Sequence, residues 1–179
     1  MKKIALAVLL SSGLMAAESG FYVGADIGNT AMDMTTTFNG DKTTVSDDGG
    51  SQTLKVGYYI DKNNRASAFY QNVNVDGGDV YAYGIGYDYL IGDSAFKPFI
   101  GAQLGYGSVK ADGTTVDIAG ITYGAQAGIN YAVNENFSLE AGYRYLITNM
   151  EDSISGPGGT ATFEIDSLKN WFIGVNYKF

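Results

Sequence analysis

Histidine and cysteine are both absent from the 179 residues, and each absence closes off a class of chemistry. Without histidine there is no ordinary general base and no Ser-His or Cys-His nucleophile arrangement. Without either residue no His or Cys cluster can hold a transition metal, and no metal site and no cofactor site is expected. Any enzyme built on this chain would have to work with carboxylates or lysine alone, and the expectation is a protein that is not an enzyme. The lack of cysteine also means that the fold is not stapled by disulfides. Basic residues are scarce, 11 against 19 acidic, which excludes a nucleic-acid-binding surface. Apart from one short run at residues 4–10, the chain lacks long apolar stretches. A helix needs ~20 such residues to cross a bilayer, and none is predicted to do so.

What is present begins with Met1-Lys2-Lys3, a positive segment followed by the apolar run and then by Met15-Ala16-Ala17, a small-residue cleavage site. That order predicts a secretory signal peptide over residues 1–17, leaving residues 18–179 as one domain. Once Lys2 and Lys3 are removed, nine basic residues face nineteen acidic ones, a net charge near −10. Glycine (25) and tyrosine (14) are abundant and proline (2) is nearly missing. The glycines alternate with aromatic and branched residues instead of forming tracts, so they belong to strands. An inward glycine leaves room for a large neighbour.

Period-two alternation recurs eight times. Residues 20–32 set Phe21, Val23, Ala25 and Ile27 against Tyr22, Gly24, Asp26 and Gly28. Strands are predicted at 52–60, 65–75, 81–91, 97–110, 116–133 and 137–150, and a last strand closes the chain. In the third, Ala66, Ala68 and Tyr70 share one phase while Val73 and Val75 share the other, which predicts a bulge near Gln71 and Asn72. Residues 33–50, with the Asn39-Gly40 turn signal, form either a long loop or an extension of the first hairpin. Loops are expected at 111–115 and 151–160, with short turns at 61–64, 92–94 and 134–136. The count is eight, and segments of about ten alternating residues suit a tilted crossing of a bilayer. The fold class is therefore all-β, an eight-stranded antiparallel up-and-down transmembrane β-barrel.

A secreted lipocalin-like barrel would share the strand count but turn its apolar face inward. Side-chain volume argues for the opposite orientation, because eight strands enclose a space only wide enough for their own side chains. One face carries most of the Tyr, Phe, Ile and Leu, and the other is largely small or polar. Asp26, Lys55, Asp88, Glu140, Arg144 and Lys178 all fall on the small-residue face, where they avoid the cost of a few kcal/mol each would meet against lipid. Tyr58, Tyr89, Tyr131 and Tyr177 lie near strand ends, where aromatic girdles form.

The final stretch, Asn170 to Phe179, resembles the closing strand of bacterial outer-membrane barrels, with Gly174, Tyr177 and Phe179 matching the assembly signal of that group. Phe172 departs from the pattern, standing where those proteins more often have a polar residue. Gly20-Phe21-Tyr22-Val23-Gly24-Ala25, Lys97-Pro98-Phe99-Ile100-Gly101-Ala102 and the run from Tyr123 through Tyr145 are similar to the opacity-protein-like, or small porin-like, outer-membrane β-barrel family. The resemblance implies residence in the bacterial outer membrane among lipid and lipopolysaccharide, biogenesis through periplasmic chaperones and the barrel assembly machinery, short periplasmic turns and variable outer loops. The family includes adhesins and surface antigens, so the resemblance implies place and fold more than activity, and a structural or surface-interaction role, adhesin-like or antigen-like, is expected.

Glu140 and Arg144, four residues apart on one strand, stand about 13 Å from each other and cannot bond directly. By depth, Arg144 and Lys55 should lie level with Asp26, and Glu140 lower, near Lys178 and Asp88. The six charged residues are expected to form a paired network that seals the lumen, with a narrow ion path as the alternative. Outside, Asp33, Asp41, Asp47, Asp48, Asp76, Asp79, Asp112, Glu151 and Asp152 would make an acidic rim that keeps loops solvated or meets cations or a basic extracellular partner.

Overall fold

The computed structural model describes residues 19–38, 40–75, 78–111, 117–156 and 159–179. Residues 1–17, expected as a signal peptide, lie outside the described residues, as do Asp76, Asp112 and Gly113. Eight strands follow one another: β1 (Gly20–Phe38), β2 (Asp41–Tyr59), β3 (Asn64–Val75), β4 (Gly78–Leu90), β5 (Phe96–Ala111), β6 (Asp117–Ala132), β7 (Phe137–Gly156) and β8 (Gly159–Lys178). Each pairs antiparallel with its sequence neighbour, and β8 closes on β1. The barrel is thus shut without an edge across its middle.

At one end the turns are short and held by side chains that satisfy the backbone. Asp61 Oδ1 accepts the N–H of Asn63 at 2.7 Å and of Asn64 at 2.8 Å. Asn134 Oδ1 does the same for Asn136 at 3.0 Å and Phe137 at 2.8 Å. The last residue is tied down as well, since Phe179 N donates to Phe21 O at 3.0 Å.

The other end is taller than the alternation alone predicts. Residues 33–50 extend the first hairpin, with β1 and β2 paired from Gly20 with Tyr59 to Phe38 with Asp41. Gly40 takes a positive φ of 96° in the turn, which glycine adopts without penalty. Residues 151–160, expected as a loop, continue β7 to Gly156 and start β8 at Gly159. The β2–β3 ladder, by contrast, stops at Gly50 with Asn74, and the β6–β7 ladder stops at Thr122 with Thr148. Beyond those points β7, β8, β1 and β2 rise as a four-stranded sheet that is no longer part of a closed cylinder.

The bulge expected near Gln71 and Asn72 does not exist. β3 pairs with β2 and with β4 in unbroken register through those residues. The register shifts sit in the two ladders of β8 instead: against β1 between Asp33 and Met34, where Asp166 is the extra residue, and against β7 between Ile147 and Met150, where two β7 residues face Asp166 alone.

The reason Val73 changes phase is solvent, not backbone geometry. In the lower part of the barrel the outward side chains are bulky and exposed: Tyr83 is 56%, Ile129 40% and Tyr143 49% accessible, while the inward Arg144 is 1% accessible. In the upper part the inward residues Met32, Val73, Val80, Leu146, Met150, Ile165 and Leu168 form a buried apolar cluster. At that height the outer surface is polar. Ser46 donates to Asp33 at 2.8 Å, Lys169 to Asp33 at 2.6 Å and Asn29 to Asp48 at 3.0 Å. Alternation runs on unchanged; the chemistry assigned to each side reverses where hydrocarbon gives way to water.

Candidate functional site: a closed ionic ring across the lumen

The interior of the lower barrel is filled by two kinds of side chain, and both depend on glycine. The inward aromatics face glycines on the adjoining strand: Tyr22 opposite Gly57, Phe69 opposite Gly84, Phe99 opposite Gly128 and Phe172 opposite Gly142. A Cβ built at Gly142 would lie 2.8 Å from Phe172 Cζ, and one at Gly57 would lie 2.4 Å from Tyr22 Cε1. These rings therefore lie flat over bare backbone. Phe172, the residue that departs from the usual closing-strand pattern, is one of them.

The rings make walls for charged groups. The Arg144 guanidinium stands 4.6 Å from the Phe172 ring centre and that of Arg65 stands 5.3 Å from Phe99, distances at which the ring quadrupole attracts a cation. Between these walls the charges close a circuit. Lys55 Nζ lies 3.3 Å from Asp26 and 2.5 Å from Glu140. Arg65 Nη1 lies 2.6 Å from the other oxygen of Glu140, and its Nε lies 2.9 Å from Asp88. Gln126 Nε2 donates to Asp88 at 2.5 Å, and Gln126 Oε1 accepts from Arg144 Nε at 3.2 Å. Arg144 Nη2 returns to Asp26 at 3.5 Å. Asn176 adds a hydrogen bond to Glu140 at 2.8 Å, Asn170 accepts from Arg144 at 3.2 Å and Gln103 donates to Gln126 at 3.1 Å. Every strand of the barrel contributes a group.

Of the six charged residues the sequence singles out, the structure brings Asp26, Lys55, Asp88, Glu140 and Arg144 into this ring. Lys178 lies at the short-turn mouth with its ammonium 5.5 Å from the Tyr59 ring. Lys55 is the link between the two depth levels, reaching Asp26 and Glu140 together. Arg65 and Gln126 are the participants that sequence reading missed. Counting back from the hairpin pair of Val75 with Gly78 places Arg65 directly opposite Asp88, a signal available from register but not from proximity to a turn.

Three carboxylates and three cations make the ring formally neutral, and all six are buried. On the short-turn side Leu90 and Phe99, with Tyr59 packed against them, share an apolar cluster with Phe172. On the outer side Thr53 Oγ1, Gln71 Nε2 and Thr122 Oγ1 form a polar belt without a protein partner, and the larger apolar cluster lies above it. Among the described residues no group of three carboxylates is placed to hold a metal ion. The acidic rim is drawn partly into local bonds, Asp33 as above and Asp79 accepting from the Tyr81 hydroxyl at 3.1 Å.

Gly174, Tyr177 and Phe179 occupy distinct environments. Gly174 faces Asp26, whose Cβ would stand 2.7 Å from an added Cβ. Tyr177 and Phe179 project outward and pack edge to face, ring centres 5.1 Å apart.

Comparison with known proteins places this architecture. The family described as outer membrane protein beta-barrel domain matches residues 4–179. An uncharacterized protein of Haemophilus influenzae is 27% identical over 178 residues, covering 85% of this chain and 94% of that protein. The crystal structure of Neisserial surface protein A superposes with a TM-score of 0.63 at 26% identity, over 90% of this chain and 99% of that one. OprG of Pseudomonas aeruginosa shares the fold with a TM-score of 0.64 at 17% identity, over 93% and 99%.

Proposed function

Because this chain belongs to the outer membrane protein beta-barrel family and resides in the bacterial outer membrane, we propose that it is a sealed, non-catalytic barrel that holds an interaction surface outside the cell. The observation that carries this reading is the closed ionic ring with apolar clusters on either side. An ion crossing such a lumen would lose its hydration at the dry outer cluster and meet no uncompensated charge at the ring. Every carboxylate of the ring is already bonded to a cation, which leaves no free general base beside the missing histidine.

The tall four-stranded sheet supports the display role. A barrel needed only to span the bilayer gains nothing from β1 and β2 running 19 residues each. The short turns face the periplasm in this reading, and the chain is exported by residues 1–17. Gly174, Tyr177 and Phe179 serve as the assembly signal read by the barrel machinery and its chaperones. The outward, edge-packed pair of Tyr177 and Phe179 supports that assignment. Lipopolysaccharide and phospholipid would cover the band of outward Tyr, Ile, Leu and Val.

Planar-bilayer recording on purified protein tests the reading. The expected result is no stable open level in the parent protein, and fluctuating conductance once Arg144→Ala leaves Asp26 and Gln126 without their shared donor. A steady, charge-selective level in the parent protein would overturn the sealed barrel in favour of a narrow channel.

A further inference from the structure

The upper sheet ends in a bare edge. β3 finishes at Val75, its last partner on β2 being Gly50 opposite Asn74, so residues 41–48 of β2 are paired with β1 only. At ~3.4 Å per residue this is roughly 27 Å of strand. In an antiparallel ladder alternate residues turn their N–H and C=O away from the existing partner, so half of these backbone groups face solvent. Among the described residues nothing else covers the segment, and residues 41–46 are exposed on both faces. Long uncovered edges accept further strands unless charge or proline prevents it; no proline occurs here, and the charges of Asp41, Lys42, Asp47 and Asp48 restrict which strand can pair.

The side chains state which strand would fit. One face presents Asp41, Thr43, Val45 and Asp47 in alternation, with Val45, 56% exposed, opposite the exposed Met34 of β1 and Asp41 opposite the exposed Phe38. The segment holds three aspartates against one lysine, so a second copy of this chain would bring two net-negative edges together. Directly opposed like charges destabilise strand pairing, and opposed unlike charges with a branched residue between them favour it.

We propose that residues 41–48 of β2 bind an extended, basic segment of another protein by strand addition, with lysine or arginine opposite Asp41 and Asp47 and a β-branched residue opposite Val45. Backbone hydrogen bonds supply affinity and the alternate side chains supply selection. This rests on the display reading and names the partner's chemistry. It does not depend on the lumen being closed.

The test uses the full chain in detergent micelles and a synthetic peptide, Lys-Lys-Thr-Ile-Thr-Thr-Thr-Lys, antiparallel to the edge. Saturating peptide should slow amide hydrogen exchange within residues 41–48. The Asp41→Lys/Asp47→Lys double variant should weaken binding about tenfold or more, as two opposed charge pairs become repulsive. Equal binding by a peptide of the same charge with proline at the isoleucine position would reduce the contact to charge alone and overturn strand addition. Unchanged exchange, unchanged affinity in the double variant, or self-association protecting the same amides without peptide would each overturn the proposal too. None of these outcomes alters the conductance result, so the two readings fail separately.

Discussion

The lower and upper halves of the barrel share one backbone pattern and oppose each other in chemistry. Below, large apolar side chains point out and the interior is glycine, aromatic rings and paired ions. Above, Met32, Val73, Val80, Leu146, Met150, Ile165 and Leu168 point in and hydroxyls, amides and carboxylates point out. β7 shows the change along a single strand, its inward residues running Ser138, Glu140, Gly142, Arg144, then Leu146, Thr148 and Met150. A strand obeys whichever solvent bathes it: in hydrocarbon the apolar residues stay outside and the polar ones must be paired within, whereas in water the hydrophobic effect acts normally. The upper half is a water-soluble sheet grown on a membrane protein.

The comparison can be broken most forcefully in the lower half. Glu140 bonds both Lys55 and Arg65, so Glu140→Ala takes from each of these buried cations one of its two carboxylate partners, leaves the ring with one uncompensated positive charge, and should cost about 3–5 kcal/mol in denaturant unfolding from micelles. A loss below about 1 kcal/mol would mean the ring is wet and weakly coupled. In the upper half the corresponding test is Leu146→Ala, expected to cost about 2–4 kcal/mol by opening a cavity in the apolar cluster. A negligible effect there would remove the claim that this half has a core of its own.

A smaller effect sharpens the role of glycine below the reversal. Gly142→Ala should cost about 1–3 kcal/mol, because the new methyl meets both the Ala127 carbonyl and the Phe172 ring, and Phe172→Leu in the same chain should recover only the part due to the ring. Smallest is a pH effect confined to the short turn between β2 and β3. The Asn63 backbone N–H and the Asn64 side chain hold the Asp61 carboxyl below its ordinary value. Its contribution is therefore complete above the unfolded-state value and fades as pH falls through the lower folded one. Exchange of the Asn63 and Asn64 amides should be faster in Asp61→Ala than in the parent near neutrality, and the two should converge in acid.

Strand number, order and facing were legible because period-two alternation with bulky residues on one side admits few arrangements in eight strands. The reversal was not, and the error it produced is instructive. A change of apolar phase at Val73 and Val75 reads as a bulge if the solvent is taken to be uniform, yet β3 is regular there. The true irregularities, around Asp166 on β8, carry no glycine or proline to announce them. At the ring, residue types and facing pointed to Asp26, Lys55, Asp88, Glu140 and Arg144. Arg65 opens its strand beside the Asp61–Asn64 turn and shares the phase of Ser67 and Phe69, opposite to Ala66, Ala68 and Tyr70, so its inward place follows from the facing of the strand and its partner only from the register.

Since the chain has no cysteine of its own, single-cysteine spin labelling along β3 and β4 reads the reversal most directly. Labels at Tyr83 and Ile85 should collide with membrane-dissolved oxygen and not with a water-soluble relaxant. Those at Val73 and Val80 should be shielded from both, and one at Asp79 should meet the water-soluble reagent. Strong oxygen collisions at Val73 and Val80, or aqueous access at Ile85, would contradict the account.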